Sequence, residues 1–181
     1  MQIIYQPLTK AMIDTQLFAQ FDRYQKVTRC WRKEQGQFVL KEIAFTEQWD
    51  DADIAYLVQC LRRTVEQGGA VYGALDGGCL CGFCSVEREP FGSRREYVQL
   101  SSLHVSFEHR GRGIGRRLFA LAARYAKQVG AAKLYISSHS AEETQAFYKA
   151  VGCVEAREYI EQIVQKEPCD CQLEYSLKQV V

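Results

Sequence analysis

The chain has 181 residues, with 23 Lys and Arg against 22 Asp and Glu, a formal net charge of +1. Hydrophobic residues at 47% and charged residues at 25% are ordinary for one globular domain with a sizeable core. That balance excludes the basic footprint of a nucleic-acid or anionic-membrane binder. No apolar run reaches the ~20 residues of a membrane span, and "MQIIYQPLTK" lacks the pattern of a signal peptide, so the expected location is cytoplasmic.

Along the chain, "KAMIDTQLFAQF" carries apolar residues at helical spacing and predicts a helix over about 10–22. "VTRCWRK" and "QFVLKEIAF", separated by "EQG", read as a β-hairpin. "WDDADIAYLVQCLRRTVEQGG" reads as a helix that ends at Gly68, its acidic first turn matching the macrodipole. "AVYGAL", the turn "DGG" and "CLCGFCSVERE" make a second hairpin. "RREYVQLSSLHVSF" predicts a central strand, and residues 113–129 a helix closed by Gly130. "AKLYISS" reads as a buried strand. "AEETQAFYKAV" reads as a short helix, with Ser140 and Glu143 as a capping box. "CVEAREYI" and "CQLEYSL" finish as strands. No repeat or linker divides the chain, so the expectation is one α/β domain over residues 1–181 with a mixed sheet.

Eight cysteines include the clusters "CLCGFC" and "CDC". Without an export signal, reduced thiols are expected. Of Cys79, Cys81, Cys84, Cys169 and Cys171, only Cys81 and Cys84 have the spacing of paired zinc ligands. The reading is core packing with no metal, and a zinc-stabilised interaction protein is the rival.

"HRGRGIGRRL" sits between the central strand and the long helix. Gly111, Gly113 and Gly115 permit a tight turn and close ligand approach. Free N–H groups at the helix start make an anion site, and Arg110, Arg112, Arg116 and Arg117 add charge there. A P-loop needs a Gly-Lys-Ser/Thr ending, which is missing. A Rossmann loop needs G-x-G-x-x-G and an acidic residue ending the next strand; here the spacing is G-x-G-x-G and that strand ends in Ser137 and Ser138.

Arg110-Gly111-Arg112-Gly113-Ile114-Gly115 resembles the Q/R-x-x-G-x-G/A signature of the GNAT acyltransferase superfamily, and "FYKAVGC" downstream resembles that family's (F/L)Y-x-K-x-G-F segment. The similarity covers roughly residues 70–160. It implies a GNAT-like fold: a twisted, mostly antiparallel mixed sheet with splayed central strands flanked by helices. Residues 70–160 would form the acetyl-CoA-binding core and residues 1–69 the acceptor side. The resemblance further implies that the loop over 110–116, including Ile114 and Arg116, holds the pyrophosphate of acetyl-CoA through backbone N–H groups. Leu103, His104 and Val105 would pair with the pantetheine arm, and Tyr148 would protonate the departing thiolate. Many members carry Asn at the position of Ala141, a role that Ser138 or Ser140 could fill.

Many members also have a glutamate base at the position of Gln99, and an amide cannot accept that proton. Candidates to replace it are His104, Glu96 and Glu87, or an amine that arrives neutral. Regular strand alternation puts His104 on the face opposite Gln99. Cys153 reads as core. Trp31, Trp49, Tyr72 and Phe83 are candidates for an acceptor pocket or for core. The implied activity is acetyl transfer from acetyl-CoA to a primary amine of a small molecule by direct attack, with no metal, nucleic acid or membrane involved. The assembly that this reading allows is a homodimer. The alternatives are a protein amine as acceptor and a non-catalytic CoA-sensing module.

Overall fold

Two-residue turns at 35–36 and 77–78 close the two hairpins that the sequence foretells. The structure, a computed structural model, describes residues 2–180. The first hairpin joins β2 (Gln25–Glu34) to β3 (Gln37–Glu47) and stands as its own two-stranded sheet. The second joins β4 (Ala70–Asp76) to β5 (Cys79–Val86) inside a seven-stranded sheet. The other strands of that sheet are β1 (Ile4–Pro7), β6 (Tyr97–Val105), β7 (Lys133–Ser138), β8 (Val154–Glu155) and β9 (Cys171–Ser176). Its order is β1-β4-β5-β6-β7-β9-β8, and only β6 and β7 run parallel. The expected mostly antiparallel mixed sheet is borne out.

Helices cover both faces. On one face α2 (Ile114–Gln128) and α3 (Glu142–Ala150) bury Leu118, Phe119, Ala122 and Tyr148 against Ala74, Cys84, Val98, Leu100 and Leu134. Each large apolar side chain removed from water there contributes about 1.5–3 kcal/mol. On the other face α1 (Asp51–Glu66) packs Val58 and Leu61 with Leu8, Ile13, Phe18 and Phe83. Asp50 accepts the Asp53 N–H at 2.9 Å while Asp53 accepts the Asp50 N–H at 3.1 Å, a reciprocal cap that fixes where α1 begins.

Three expectations are corrected. Residues 10–22 hold two separate 3₁₀ turns, Lys10–Met12 and Gln16–Phe18, rather than a helix. Ile13 is extended between them, and Asp14 captures the Leu17 N–H at 2.9 Å, a local bond that competes with helix formation. "CVEAREYI" supplies only the two-residue β8, and the chain then turns into a four-residue helix, α4 (Glu161–Val164). Ser140 does not cap α3. The cap position is Ala141, and the Ser140 hydroxyl instead accepts Arg32 Nη1 at 2.6 Å while its carbonyl accepts the Trp31 N–H at 2.8 Å. Those bonds fasten the β2–β3 hairpin to the start of α3.

Candidate active site

The parallel pair is short. β6 meets β7 only through Tyr97–Lys133, Val98–Leu134 and Gln99–Tyr135. Beyond Gln99, β6 stays with β5 and β7 stays with β9, so the two strands part. The wedge between them opens into a cleft of about 550 Å³ lined by Leu103, Val105, Gly113, Ser138, Phe147 and Tyr148, among others. In an antiparallel ladder, alternate residues turn their N–H and C=O to the partner strand. Ser106 donates to the Cys81 carbonyl at 2.9 Å, and the register pairs His104 with Phe83. His104 therefore spends its backbone on β5, while Leu103 and Val105 direct theirs into the wedge.

At the wide end of the wedge lies the glycine loop. Gly111 and Gly113 have φ of 75° and 79°, the left-handed region that side chains avoid, and a Cβ at either would meet nothing within 4 Å. The requirement is conformational, and the space in front of the loop is open. Gly113 caps α2 without a side-chain bond, and Arg117 is the first residue whose N–H reaches a helix carbonyl, that of Gly113 at 3.1 Å. The N–H groups of Ile114, Gly115 and Arg116 are left for an outside acceptor at the positive end of the macrodipole. Such an arrangement is chemically suited to an anion.

The arginines divide. Arg116 is exposed and lines the cleft, whereas Arg112 is exposed outside it. Arg117 lies over the Tyr5 ring at 4.9 Å. Arg110 is a clamp: its Nε donates to the Val105 carbonyl at 3.0 Å, its Nη2 to the Arg23 carbonyl at 3.2 Å, and its own N–H to the Phe107 carbonyl at 3.3 Å.

Across the cleft, Tyr148 is 6% exposed and meets Phe147 edge-on at 5.2 Å. Burial, with the thiols of Cys153 and Cys84 nearby, raises its pKa, so the phenol keeps its proton. Its hydroxyl bonds to no other described residue and faces the cleft. Ser138 lines the cleft, but its hydroxyl is occupied: it accepts Gln145 Nε2 at 2.8 Å and donates to the Cys171 carbonyl at 3.3 Å. Ser140 is buried away from the cleft lining.

A second cleft of about 1150 Å³ lies against β6 and reaches α1, with Trp49, Leu57, Glu87, Gln99, Ser101 and His104 in its wall. Ser101, Ser102, His104 and Arg23 line both clefts. Here the sequence reading of His104 is corrected. β6 carries a bulge: Ser85 pairs with Ser102 and Val86 with Leu100, leaving Ser101 unpaired. One extra residue shifts the alternation by one, so Gln99 and His104 share the second cleft. The core face shows the same slip, running Val98, Leu100, then Leu103 and Val105.

His104 sits 4.9 Å from the Trp49 ring and 5.4 Å from Phe83. Burial, helped by Arg23 and Arg110, pushes its pKa down to about 3. It is a neutral aromatic wall and a poor proton acceptor. Glu96 is paired with Lys133 at 3.2 Å and lines neither cleft.

Of the four aromatic candidates, only Trp49 lines the second cleft; Trp31 and Tyr72 pack on the larger core and Phe83 is fully buried. Sequence reasoning passed over Arg23, which is 8% exposed, bonds Glu47 at 2.8 Å and lies 5.6 Å from Trp49 at the junction of the clefts. It belongs to no motif, and only the fold brings it there.

Of the clustered thiols Cys81, Cys84 and Cys171 are buried, whereas Cys79 and Cys169 are exposed, so core packing is corrected for those two, which lie at the hairpin turn and in the loop before β9. Cys81 donates to the Ala74 carbonyl at 3.2 Å and Cys84 to the Leu118 carbonyl at 3.4 Å. Cys153 is buried, which pushes its pKa up to about 12. Among the described residues no three His, Cys, Asp or Glu side chains are grouped as metal ligands, and no helix is long and apolar enough to cross a membrane.

The profile of the Acetyltransferase (GNAT) family matches residues 25–153, and the chain belongs to that family. Solved structures share its fold over nearly the whole length. Nourseothricin acetyltransferase is 17% identical, with a TM-score of 0.70, covering 98% of this chain and 99% of its own. A candidate streptothricin acetyltransferase from Bacillus anthracis str. Ames, in complex with acetyl coenzyme A, is 14% identical with a TM-score of 0.70, covering 96% and 95%. The PaiA N-acetyltransferase from Thermoplasma acidophilum, in complex with coenzyme A, is 14% identical with a TM-score of 0.61, covering 97% and 99%. At these identities the likeness is one of fold. No curated protein matches the chain.

Proposed function

We propose that the protein is an acetyl-CoA-dependent N-acetyltransferase that acts on a primary amine of a small molecule. The observation that carries this reading is the wedge between β6 and β7, which ends at a glycine-capped helix on one side and a protonated, cleft-facing Tyr148 on the other. The free amides of α2 suit a pyrophosphate. The backbone groups of Leu103 and the N–H of Val105, which turn away from β5, suit an extended arm that carries amides, the Val105 carbonyl being held by Arg110. Two structurally similar acetyltransferases were solved with acetyl coenzyme A or coenzyme A.

The reaction follows from placement. An amine in the second cleft meets the thioester where the clefts join, near Ser101 and Ser102. Holding the two reactants together supplies much of the acceleration. The amine nitrogen attacks the carbonyl carbon, a backbone N–H of β6 steadies the oxyanion, the C–S bond breaks, and Tyr148 gives its proton to the thiolate. The second cleft mixes both charge signs with Trp49, Tyr56 and Phe91, which suits a compact polar amine with an apolar portion.

The test is a panel of amines, including small aminated antibiotics and a peptide N-terminus, with release of free CoA thiol as the readout. Turnover of at least one small amine is expected. Tyr148→Phe should lower kcat by ~10²-fold or more and leave the affinity for CoA unchanged. Tight CoA binding with no turnover of any amine would favour a sensing module, and turnover of the peptide alone would move the acceptor to proteins.

A further inference from the structure

We infer that Glu87, acting through the hydroxyl of Ser101, takes the proton from the attacking amine. This deepens the proposed function and rests on it. Glu87 stands across the ladder from Gln99: its N–H donates to the Gln99 carbonyl at 2.9 Å. Cross-strand neighbours have Cβ atoms about 5 Å apart on one face, and both residues line the second cleft. The carboxylate missing from position 99 is thus supplied one strand over.

Its connection to the reacting centre is built. Ser101 Oγ donates to Glu87 Oε1 at 2.7 Å, and Thr64 Oγ1 lies 2.8 Å from the same oxygen. Both hydroxyls converge on one carboxylate oxygen, Thr64 sharing its single proton between Glu87 and the Cys60 carbonyl at 3.1 Å. Ser85 Oγ lies 2.8 Å from Ser101 Oγ and donates to it, because the proton of Ser101 is committed to Glu87. A hydroxyl oxygen has two lone pairs. Ser85 takes one, and the other is open, since Ser101 is exposed and lines both clefts.

The strand and its bulge explain why Ser101 is available. Two residues on from Gln99, Ser101 keeps the same face, and the bulge that follows the Val86–Leu100 pair brings His104 onto that face as well. As the unpaired residue of the bulge it projects where the clefts meet. The other base candidates do not serve: His104 is held neutral among Trp49 and Phe83, and Glu96 is paired with Lys133. The proton balance closes. The ammonium passes a proton to Ser101 Oγ while the proton of Ser101 moves to Glu87. Glu87 releases that proton to water through the second cleft, the free amine attacks, the C–N bond forms and the C–S bond breaks. One of the two N–H protons on the attacking nitrogen then passes through Ser101 to the freed carboxylate, while Tyr148 gives its proton to the sulfur and recovers one from water. The titratable groups around Glu87 are Tyr125 from α2, Arg63 from α1, its neighbour Arg88, His104 from β6, and Lys166 and Glu167 from the C-terminal segment.

The experiment compares wild type, Glu87→Gln, Glu87→Asp and Ser101→Ala between pH 6 and 9, using acetyl-CoA and the best alkylamine of the panel. Glu87→Gln should lower kcat/KM for the amine ~10²-fold at pH 7. The deficit should narrow about tenfold per pH unit as the amine deprotonates in solution. Glu87→Asp should recover part of the loss, Ser101→Ala should show the same pH-dependent deficit, and the affinity for CoA should not move. A Glu87→Gln enzyme within twofold of wild type at pH 7 overturns the relay and leaves the proposed function standing. So does an equal loss at every pH, the mark of a structural defect. A wild type that acetylates no amine overturns both.

Discussion

The glycine loop makes its sharpest prediction at Gly113. Two substitutions separate backbone strain from charge. At φ of 79° with nothing within 4 Å of a Cβ, Gly113→Ala meets no clash and pays only the left-handed conformation, about 1–2 kcal/mol. That lowers the melting temperature by roughly 2–8 °C for a chain of this size and leaves the amides of Ile114, Gly115 and Arg116 in place. Gly113→Glu adds the same strain and a carboxylate at the mouth of the cradle. A charge about 4 Å from one phosphate charge, at an effective dielectric of about 20, is repelled by about 4 kcal/mol, or roughly 10³-fold in affinity. Titration of CoA by calorimetry should therefore find the alanine variant near wild type and the glutamate variant without measurable binding. If both variants bind CoA alike, the phosphates lie elsewhere and the assignment of the loop is wrong.

Two further outcomes follow from buried groups. His104 has a pKa of about 3 in the folded chain against an ordinary 6.5, so the unfolded chain takes up a proton that the folded one refuses; relative to His104→Phe, wild type should lose about 2 kcal/mol as pH falls from 6.5 to 4.5. Urea melts at the two pH values would read this, and a constant difference between the proteins would refute it. A Cβ on Gly82 would sit 2.9 Å from Ile114 Cγ2 and 3.0 Å from Leu118 Cδ1. Gly82→Ala should therefore cost about 1–3 kcal/mol by overpacking and weaken CoA binding together with stability, because α2 carries the cradle; a variant that melts like wild type would show that the helix shifts freely.

The glycine turn and the helix after it were legible because they are local. Gly111 and Gly113 announce a left-handed turn, and the apolar spacing after them announces a helix, so the cradle follows from about ten consecutive residues. The hairpins and α1 were legible for the same reason, since their turns and caps lie within a few positions. Residues 10–22 misled because helical spacing also suits two 3₁₀ turns that drop Ile13 and Phe18 into the core. Ser140 misled because its hydroxyl answers to Arg32, 108 positions away. The wall of the second cleft was hidden by one residue. Strand alternation assigned His104 to the wrong face because a bulge arises from pairing with β5, and no signal in "QLSSLHV" marks which residue is left out. Glu87 was a candidate by type, but its place beside Gln99 needs the ladder.

Three residue pairs join the four strands β1-β4-β5-β6 to the three strands β7-β9-β8. Unmated strand edges are normally a hazard at the rim of a sheet, where other chains add to them and aggregation begins. Here two such edges lie in the interior, facing each other across a wedge that narrows at Gln99 and is roofed by α2 and α3. A strand from another protein needs a flat, open rim and finds none. In the proposed function a single thin arm with its own amides slides in lengthwise and answers the backbone of Leu103 and the N–H of Val105, so the fold would keep a template for pairing while admitting a ligand in place of a neighbour.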